Sequence, residues 1–456
     1  DSGARPPPSV RRMDGVAGPR LSAPDRLDRP FADPLVLRLF PPLATGVHWG
    51  LERTVRALES LGDPHRAYPT IHVGGTNGKG SVASTLSSVL NASGLNAACY
   101  TSPHLCSFRE RILVGGQPLP EDEILAHAEE VTDAVVRFGL TFFEAVTVLG
   151  FHTFARSSAD VAVIEVGLGG RLDATNVLRP EVAAVTNIAM DHADYLGDSL
   201  EKIAWEKAGI VKPGVPLVTA EVEPALLQVF RDVTAETGAP LVTLDPDSVE
   251  DLTVAADRTS FALHTHAWGR LEIETPLVGR HQATNAALAI EVLEYLPDDL
   301  RPDADAIRNG VRAVEYHGRD EIEIIDGLTW LFDVAHNTAG IRSLVDTIDR
   351  LELPRPLVAL VGVLGDKDWR SMLPPLFART DAAVLTQPPS APPERRWSPA
   401  DAAHAVAKMT RVTIEEDFER AFQRVRCDAG QGTVVVTGSV HTVGSALRLL
   451  GREPLR

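Results

Sequence analysis

The stretch IHVGGTNGKGSV, residues 71–82, sets Gly74, Gly75, Gly78 and Gly80 around a single lysine, Lys79. A short β-branched run, Thr70 to Val73, precedes it. From Ser81 onward Val82, Leu86, Val89 and Leu90 recur at helical spacing and share one face. A glycine-rich turn between strand and helix aims backbone N–H groups at one anion, at the positive end of the helix dipole. Lys79 adds a mobile charge for outer phosphates. The strict P-loop pattern has four residues before its Gly-Lys pair and Ser or Thr directly after it. Here three residues separate Gly74 from Gly78, and Gly80 divides Lys79 from Ser81. On these residues alone the stretch is either a phosphate cradle or a tight turn with a surface lysine.

Four more residues carry chemistry. Glu165, in VIEVGLGGRLDATN, is an acid at the end of an apolar strand. Burying it requires a partner, and a divalent cation that serves a nucleotide phosphate is one, a buried ion pair another. Ser102, in TSPHL, offers a hydroxyl, or caps a helix before Pro103. His192, in AMDHADYLG, is either structural or a ligand. Lys207 lies on a helix ended by Pro213 and Gly214, and by spacing alone reads as a solvated lysine paired with Glu201 or Glu206.

The elements that must position these residues follow from the apolar pattern. From residue 70 to about 290 short apolar runs alternate with longer helical segments, the signature of a largely parallel sheet. Strands are expected at Thr70 to Val73, Ala97 to Thr101, Val161 to Val166 and Val182 to Ile188. The Gly/Lys loop, Ser102, Glu165 and the Asp191-His192 pair all fall at the carboxyl ends of these strands, where open α/β sheets bind ligands. A second, smaller α/β unit starts near His317 with a hairpin and continues with strands at Leu357 to Val363 and Thr433 to Thr437. QPPSAPPERRWSP, residues 387–399, reads as an exposed connection inside it.

Length and charge set the frame. The 456 residues predict two to three domains, and 44% hydrophobic residues with a mean hydropathy of −0.01 fit a soluble globular protein. The formal charge of −18 disfavours nucleic acid or an anionic membrane as main partner, so any anionic ligand must be held by local groups. Cys99, Cys106 and Cys427 form neither a paired framework nor a zinc spacing, which points to the cytoplasm. The first thirty residues, rich in Pro, Arg, Ser and Asp, read as a disordered leader.

Taken in order, GLERTVRALESLGDPHRAYPTIHVGGTNGKGS, TSPHL…FRERILVGG, LTFFEAVT, EVGLGGRLDATN, MDHADYLGDSLEKIAWEKAGI, GRHQATNAALAI and DVAHN resemble the folylpolyglutamate synthase/dihydrofolate synthase branch of the Mur ligase superfamily, from about residue 45 to the C-terminus. The resemblance implies a P-loop-containing, mostly parallel-sheet ATPase domain over residues 45–315. It implies a smaller Rossmann-like α/β glutamate-ligase domain over 316–456, with 1–44 as leader. It implies that Gly75, Thr76, Asn77, Gly78, Lys79, Gly80 and Ser81 form the phosphate loop. Asn285, Arg319 and Asp333 contact ATP, and His336 stands near its phosphates. Ser102, Glu165, His192 and Lys207 hold two magnesium ions, Lys207 as a carbamate, which demands a neutral amine and so a lowered pKa. Thr141, Phe142, Phe143, Glu144, Leu172, Asp173 and Ala174 line the pterin or folate site. His317 and Thr338 stand where the family often has proline.

The expected reaction is ATP-driven amide formation between a folate-type carboxylate and L-glutamate through an acyl phosphate, by a cytoplasmic monomer with Mg²⁺ as cofactor. The substrate is dihydropteroate, a reduced folate, or both. Another Mur-superfamily amino-acid ligase, a carboxylate kinase and a non-catalytic nucleotide-binding protein are the alternatives.

Overall fold

The computed structural model describes residues 33–41, 43, 48–406 and 409–454. In these residues the chain forms three sheets. In the largest, eight strands run in the order Gln117–Pro118, Ile112–Val114, Ala97–Tyr100, Val161–Glu165, Thr70–Gly74, Val182–Val185, Leu217–Thr219, Leu241–Thr243. The six from Ala97–Tyr100 onward are parallel, and the first two form an antiparallel margin. Helices cover both faces. Ile71, Val73, Val161, Val163 and Val182 pack with Lys79–Ala92 and Arg280–Glu294, while Tyr100, Ala162 and Ile164 pack with Glu121–Phe138 and Phe142–Arg156. Burial on both faces is why these strands read as continuous apolar runs rather than alternating ones.

The four expected strands of this sheet are present, each ending one to three residues sooner or later than the apolar run. The pattern missed the three-stranded antiparallel sheet Val249–Val254, Thr259–Thr265, Gly269–Thr275, which follows this sheet in the chain. The leader expected over 1–44 lies for most of its length outside the described residues. Its stretch 33–41 is described, and there the expectation of disorder is wrong: Leu35, Val36, Leu39 and Phe40 are buried in the first unit's core, and Asp33 accepts a hydrogen bond from the Phe108 N–H at 2.6 Å. Five apolar residues within six positions, four of them buried, outweighed the polar composition around them.

The second unit is a six-stranded sheet in the order Glu321–Ile325, Leu328–Phe332, Thr433–Thr437, Leu357–Val361, Ala382–Leu385, Arg411–Ile414, parallel except for the first strand. Its entry is the expected hairpin, closed by Asp326 and Gly327 with φ of 53° and 77°, the two left-handed residues of a type I′ turn. Segment 387–399 departs from expectation. It folds back so that Pro392, Arg395 and Trp397 are buried, and Arg395 pairs with Asp366 through two 2.9 Å bonds. No helix among the described residues is long and apolar enough to cross a membrane.

The helix that begins at Lys79 is fixed from behind by Ala304–Arg312, whose Gly310 rests on the Val89 backbone while Ser88 Oγ donates to the Gly310 carbonyl at 2.7 Å. A Cβ on Gly310 would overlap Val89 Cα and stand 2.7 Å from its nitrogen. Gly310→Ala is therefore expected to destabilise the protein by about 1–3 kcal/mol through overpacking, read as a lower urea midpoint. Asn309→Ala, an exposed neighbour on the same helix, should leave the midpoint within error.

Candidate active site

The carboxyl edge of the large sheet opens into a single cleft shared with the second unit. Every residue singled out from the sequence lines it: Gly75 to Ser81, Ser102, Thr141 to Glu144, Glu165, Leu172 to Ala174, His192, Lys207, Asn285, Arg319, Asp333 and His336. The strand order explains the convergence. The chain leaves Thr70–Gly74 toward one side of the sheet and later returns on its other flank with Val182–Val185, a switch point that opens a crevice beside the first strand.

The glycine loop is stitched to the segment that follows Val182–Val185. Thr76 N–H donates to the Asn187 carbonyl at 2.8 Å, Asn77 N–H to Asn187 Oδ1 at 3.1 Å, and Thr186 Oγ1 to the Asn77 carbonyl at 2.6 Å. This close approach demands glycine at 75. Its φ is 131°, a region that L side chains rarely adopt, and a Cβ there would overlap Thr186 Oγ1. Lys79 is the first residue of the following helix, and its Nζ lies 3.2 Å from the Thr76 carbonyl and 4.0 Å from Glu165 Oε1.

Glu165 is 3% exposed. Burial raises its pKa, and the Lys79 charge and a 2.9 Å hydrogen bond from the Ser102 N–H pull it back. Lys207, 4% exposed, is not the solvated lysine that spacing alone suggested. Its Nζ donates to the Gly75 carbonyl at 2.8 Å, and Glu206 pairs with Arg171 instead. Burial, then repulsion from Lys79, lowers the Lys207 pKa to about 7. His192 adopts a left-handed φ of 51°, and burial, then the Lys367 charge, lowers its pKa to about 3.

The second unit brings in further groups. Arg319 stacks on Tyr316 at 4.8 Å, and burial raises the pKa of Asp333, which Arg319 opposes. His336 Nδ1 is 3.0 Å from the Val334 carbonyl.

Beside these, Phe142, Phe143, Leu172 and Ala174 give the cleft an apolar wall, with Trp49 as an aromatic neighbour. Two carboxylates grouped with them are turned into the protein. Glu144 accepts from Thr141 N–H at 2.8 Å and from Arg53 at 2.9 Å, closing a capping box. Asp173 accepts from the N–H groups of Leu168 at 2.8 Å and Thr175 at 3.0 Å. Both are committed to shaping the loops that present the wall.

Sequence reasoning did not single out Lys367, Arg395, Ser439 and His441, which also line the cleft. These residues sit beyond the carboxyl ends of strands in the second sheet, so the rule that found the first group, applied to GDKD after Leu357–Val361 and to GSVH after Thr433–Thr437, would have found three of them, Lys367, Ser439 and His441.

A glycine loop at a switch point, a buried acid and lysine beside it, and a second α/β unit closing over both describe a ligase of the Mur type. Residues 73–293 match the Mur ligase middle domain and residues 318–440 the Mur ligase glutamate ligase domain. The chain is 35% identical over 425 residues to folylpolyglutamate synthase of Lacticaseibacillus casei, covering 90% of this chain and 96% of that protein. It is 32% identical over 424 residues to dihydrofolate synthase/folylpolyglutamate synthase of Bacillus subtilis, covering 90% and 96%. The solved structure of E. coli FolC in complex with DHPP and ADP superimposes with a TM-score of 0.81 at 32% identity, covering 92% of this chain and 98% of that one. The chain belongs to the folylpolyglutamate synthase/dihydrofolate synthase family.

The loop geometry yields a direct test. Gly75→Ala presses a Cβ against Thr186 and is expected to displace the loop from residues 186–189 and to lose at least about tenfold in ADP affinity by calorimetry, equivalent to ~1.4 kcal/mol, with retention of the fold checked by circular dichroism. Unchanged affinity would show that the backbone at 75 has no part in holding the nucleotide.

Proposed function

We infer that the cleft makes an amide bond at the expense of ATP. The chain is an ATP-dependent ligase that joins L-glutamate to a folate-type carboxylate. The observation that carries this is the meeting, in one cleft, of a glycine loop, the partly exposed Lys79, the buried Glu165 and Lys207, and an apolar wall. A carboxylate is a poor electrophile. The substrate carboxylate attacks the γ-phosphorus of ATP, ADP leaves, and an acyl phosphate forms. The glutamate amine then attacks the acyl carbon, phosphate leaves with the bonding electrons, and the amine gives up its proton.

In this reading the N–H groups of the loop from Gly75 to Ser81 take phosphate oxygens, and Lys79 faces the phosphoryl group in transfer. Asn285, Arg319 and Asp333 hold the rest of the nucleotide, with His336 beside its phosphates. Phe142, Phe143, Leu172 and Ala174 pack on the flat pterin, while Thr141, Glu144 and Asp173 hold that wall in shape. The two ends of the cleft are thereby matched to a charged and to an aromatic substrate.

The donors suit magnesium. Among the described residues no three His, Cys, Asp or Glu side chains form a cage, whereas Ser102, Glu165 and His192 offer a few donors beside the loop. A cation that keeps waters and shares phosphate oxygens fits such a partial set. Ser102, Glu165, His192 and a carbamylated Lys207 would hold two such ions, which when bound offset charge on the outer phosphates. We also assign both dihydropteroate and a reduced folate as acceptors, the division into domains at 315/316, a monomeric state and a cytoplasmic location.

Turnover with ATP, L-glutamate and either dihydropteroate or tetrahydrofolate, with products identified by mass, tests the reading. Each acceptor should gain glutamate, with one ADP and one phosphate released per amide. Lys79→Ala should fold normally and lose about 10²-fold or more in kcat. ADP release with an acyl phosphate as the product and no glutamate adduct on any acceptor would make the protein a carboxylate kinase instead.

Lys207 supplies a second test. Carbamate forms on the neutral amine, so with a pKa lowered to about 7 the amine is free above that pH and protonated below it. Occupancy, read as the added mass of CO₂ under native conditions, should rise with bicarbonate and fall as pH drops below about 7. Lys207→Ala should lose most activity and regain some with a short carboxylic acid in solution. Full activity with an unmodified Lys207 would return this residue to a structural role.

A further inference from the structure

Asp191 lies just beyond Val182–Val185 at the edge of the first sheet, where it accepts from the neighbouring His192 N–H at 2.9 Å, yet its other partners come from the second unit. Lys367 Nζ reaches its Oδ1 at 2.5 Å, and Asn337 Nδ2 and His336 Nε2 reach its Oδ2 at 3.1 and 3.3 Å. The side chains of Asp191 and Lys367 are 8% and 7% exposed. Lys367 is held firmly on its own side, because the adjacent Asp366 is tied to Arg395 by two bonds. One residue links this cluster to the phosphate loop: Asn337 Nδ2 also donates to Asn77 Oδ1 at 2.9 Å, while Asn337 Oδ1 caps the helix Thr338–Arg350.

We propose that Asp191 is a positioning residue, a latch that gathers Lys367, His336 and Asn337 and so holds the second unit in register over the phosphate loop. The consequence for function rests on the ligase reading above, but the structural claim does not.

The physics of the pair gives the latch a distinctive signature. Two charges withdrawn from water are tolerable while they compensate each other; one left alone is not. Removing either partner therefore drives the cleft open so that the remaining charge regains water. Removing both lifts that penalty, and the double variant should be less open than the single ones predict. In an open cleft, water replaces the amine at the acyl carbon. The acyl–oxygen bond to phosphate breaks, phosphate leaves, and the original carboxylate returns with ATP spent and no amide made.

The experiment measures closure and coupling separately. Cys427 is exposed on the second unit while Cys99 and Cys106 are buried, so a spin label at Cys427 and one at Glu129→Cys, exposed on the first unit, report the distance between units. Lys367→Met is the main variant because it keeps Asp191 in place, together with the 2.9 Å hydrogen bond that the His192 N–H donates to it. It should move the distance distribution toward longer values, with and without ADP, and raise phosphate released per amide from about one to several-fold higher. Lys367→Arg should keep the short distance. Asp191→Asn combined with Lys367→Met should recover part of it. An unchanged distance and a phosphate ratio near one, with only the KM for glutamate raised, would overturn the latch and make Lys367 a substrate ligand. Additive effects in the double variant would equally overturn it. Should the unaltered enzyme make no amide at all, the distance measurement alone decides the latch, and the ligase reading fails by itself.

Discussion

The structure turns on the cost of keeping charge out of water. Lys79, Lys207, Glu165 and Asp191 surround one glycine loop in a chain of formal charge −18, and the last three are nearly inaccessible. Each would be expensive alone. Their arrangement is mutual: Lys79 faces Glu165, the Gly75 carbonyl receives Lys207, and Asp191 receives Lys367. Burial raises the pKa of Asp191, yet the His336 hydrogen bond and the Lys367 charge outweigh it and hold this carboxyl well below the usual carboxylate range. A globally acidic protein can thus present local positive charge to an anionic ligand, because nearby groups in a dry cleft outweigh a diffuse field that solvent screens.

That constraint shapes the fold around it. Backbone groups must supply what side chains do not, so the loop is bound to residues 186–189 rather than left free, and Gly75 is needed where the two segments touch. The helix beginning at Lys79 has ten of its fourteen residues buried between the sheet and its helical neighbours, which fixes the lysine's origin, while its tip rests 3.2 Å from the Thr76 carbonyl. Rigid support behind a charged tip is what lets the cleft be organised before its substrates arrive.

The parts of this legible in the sequence were those with a local signal. Strands buried on both faces announced themselves as apolar runs, and the Gly/Lys loop, Glu165 and His192 followed as their end residues. Thr141 and Glu144 stood at the spacing of a capping box, and a capping box is what they form, though that pattern alone does not say whether the glutamate also meets a ligand. The hidden parts depend on docking. Lys367 meets Asp191 across 176 positions of sequence, and neither residue lies in a periodic segment. Lys207 looked solvated because helix spacing offers it Glu201 and Glu206 as partners, and only the packing of its helix against the sheet shows which way it faces. The antiparallel sheet from Val249 to Thr275 was missed because its first strand alternates half-buried positions with the exposed Glu250 and Asp251, a weak signal between two strong ones.

The same reasoning explains why the aromatic wall and the charged loop share a cleft without interfering. Phe142 and Phe143 open a helix whose cap uses Glu144 inwardly, and Asp173 likewise spends its acceptors on the loop that carries Leu172 and Ala174. Had either carboxylate faced the cleft, it would have repelled the anionic end of a folate-type acceptor and of the nucleotide together. Turning both into their own backbones removes that repulsion and stiffens the wall. In the proposed reading, a flat acceptor is then met by shape and apolar contact, while the charge for phosphoryl transfer stays on the loop side.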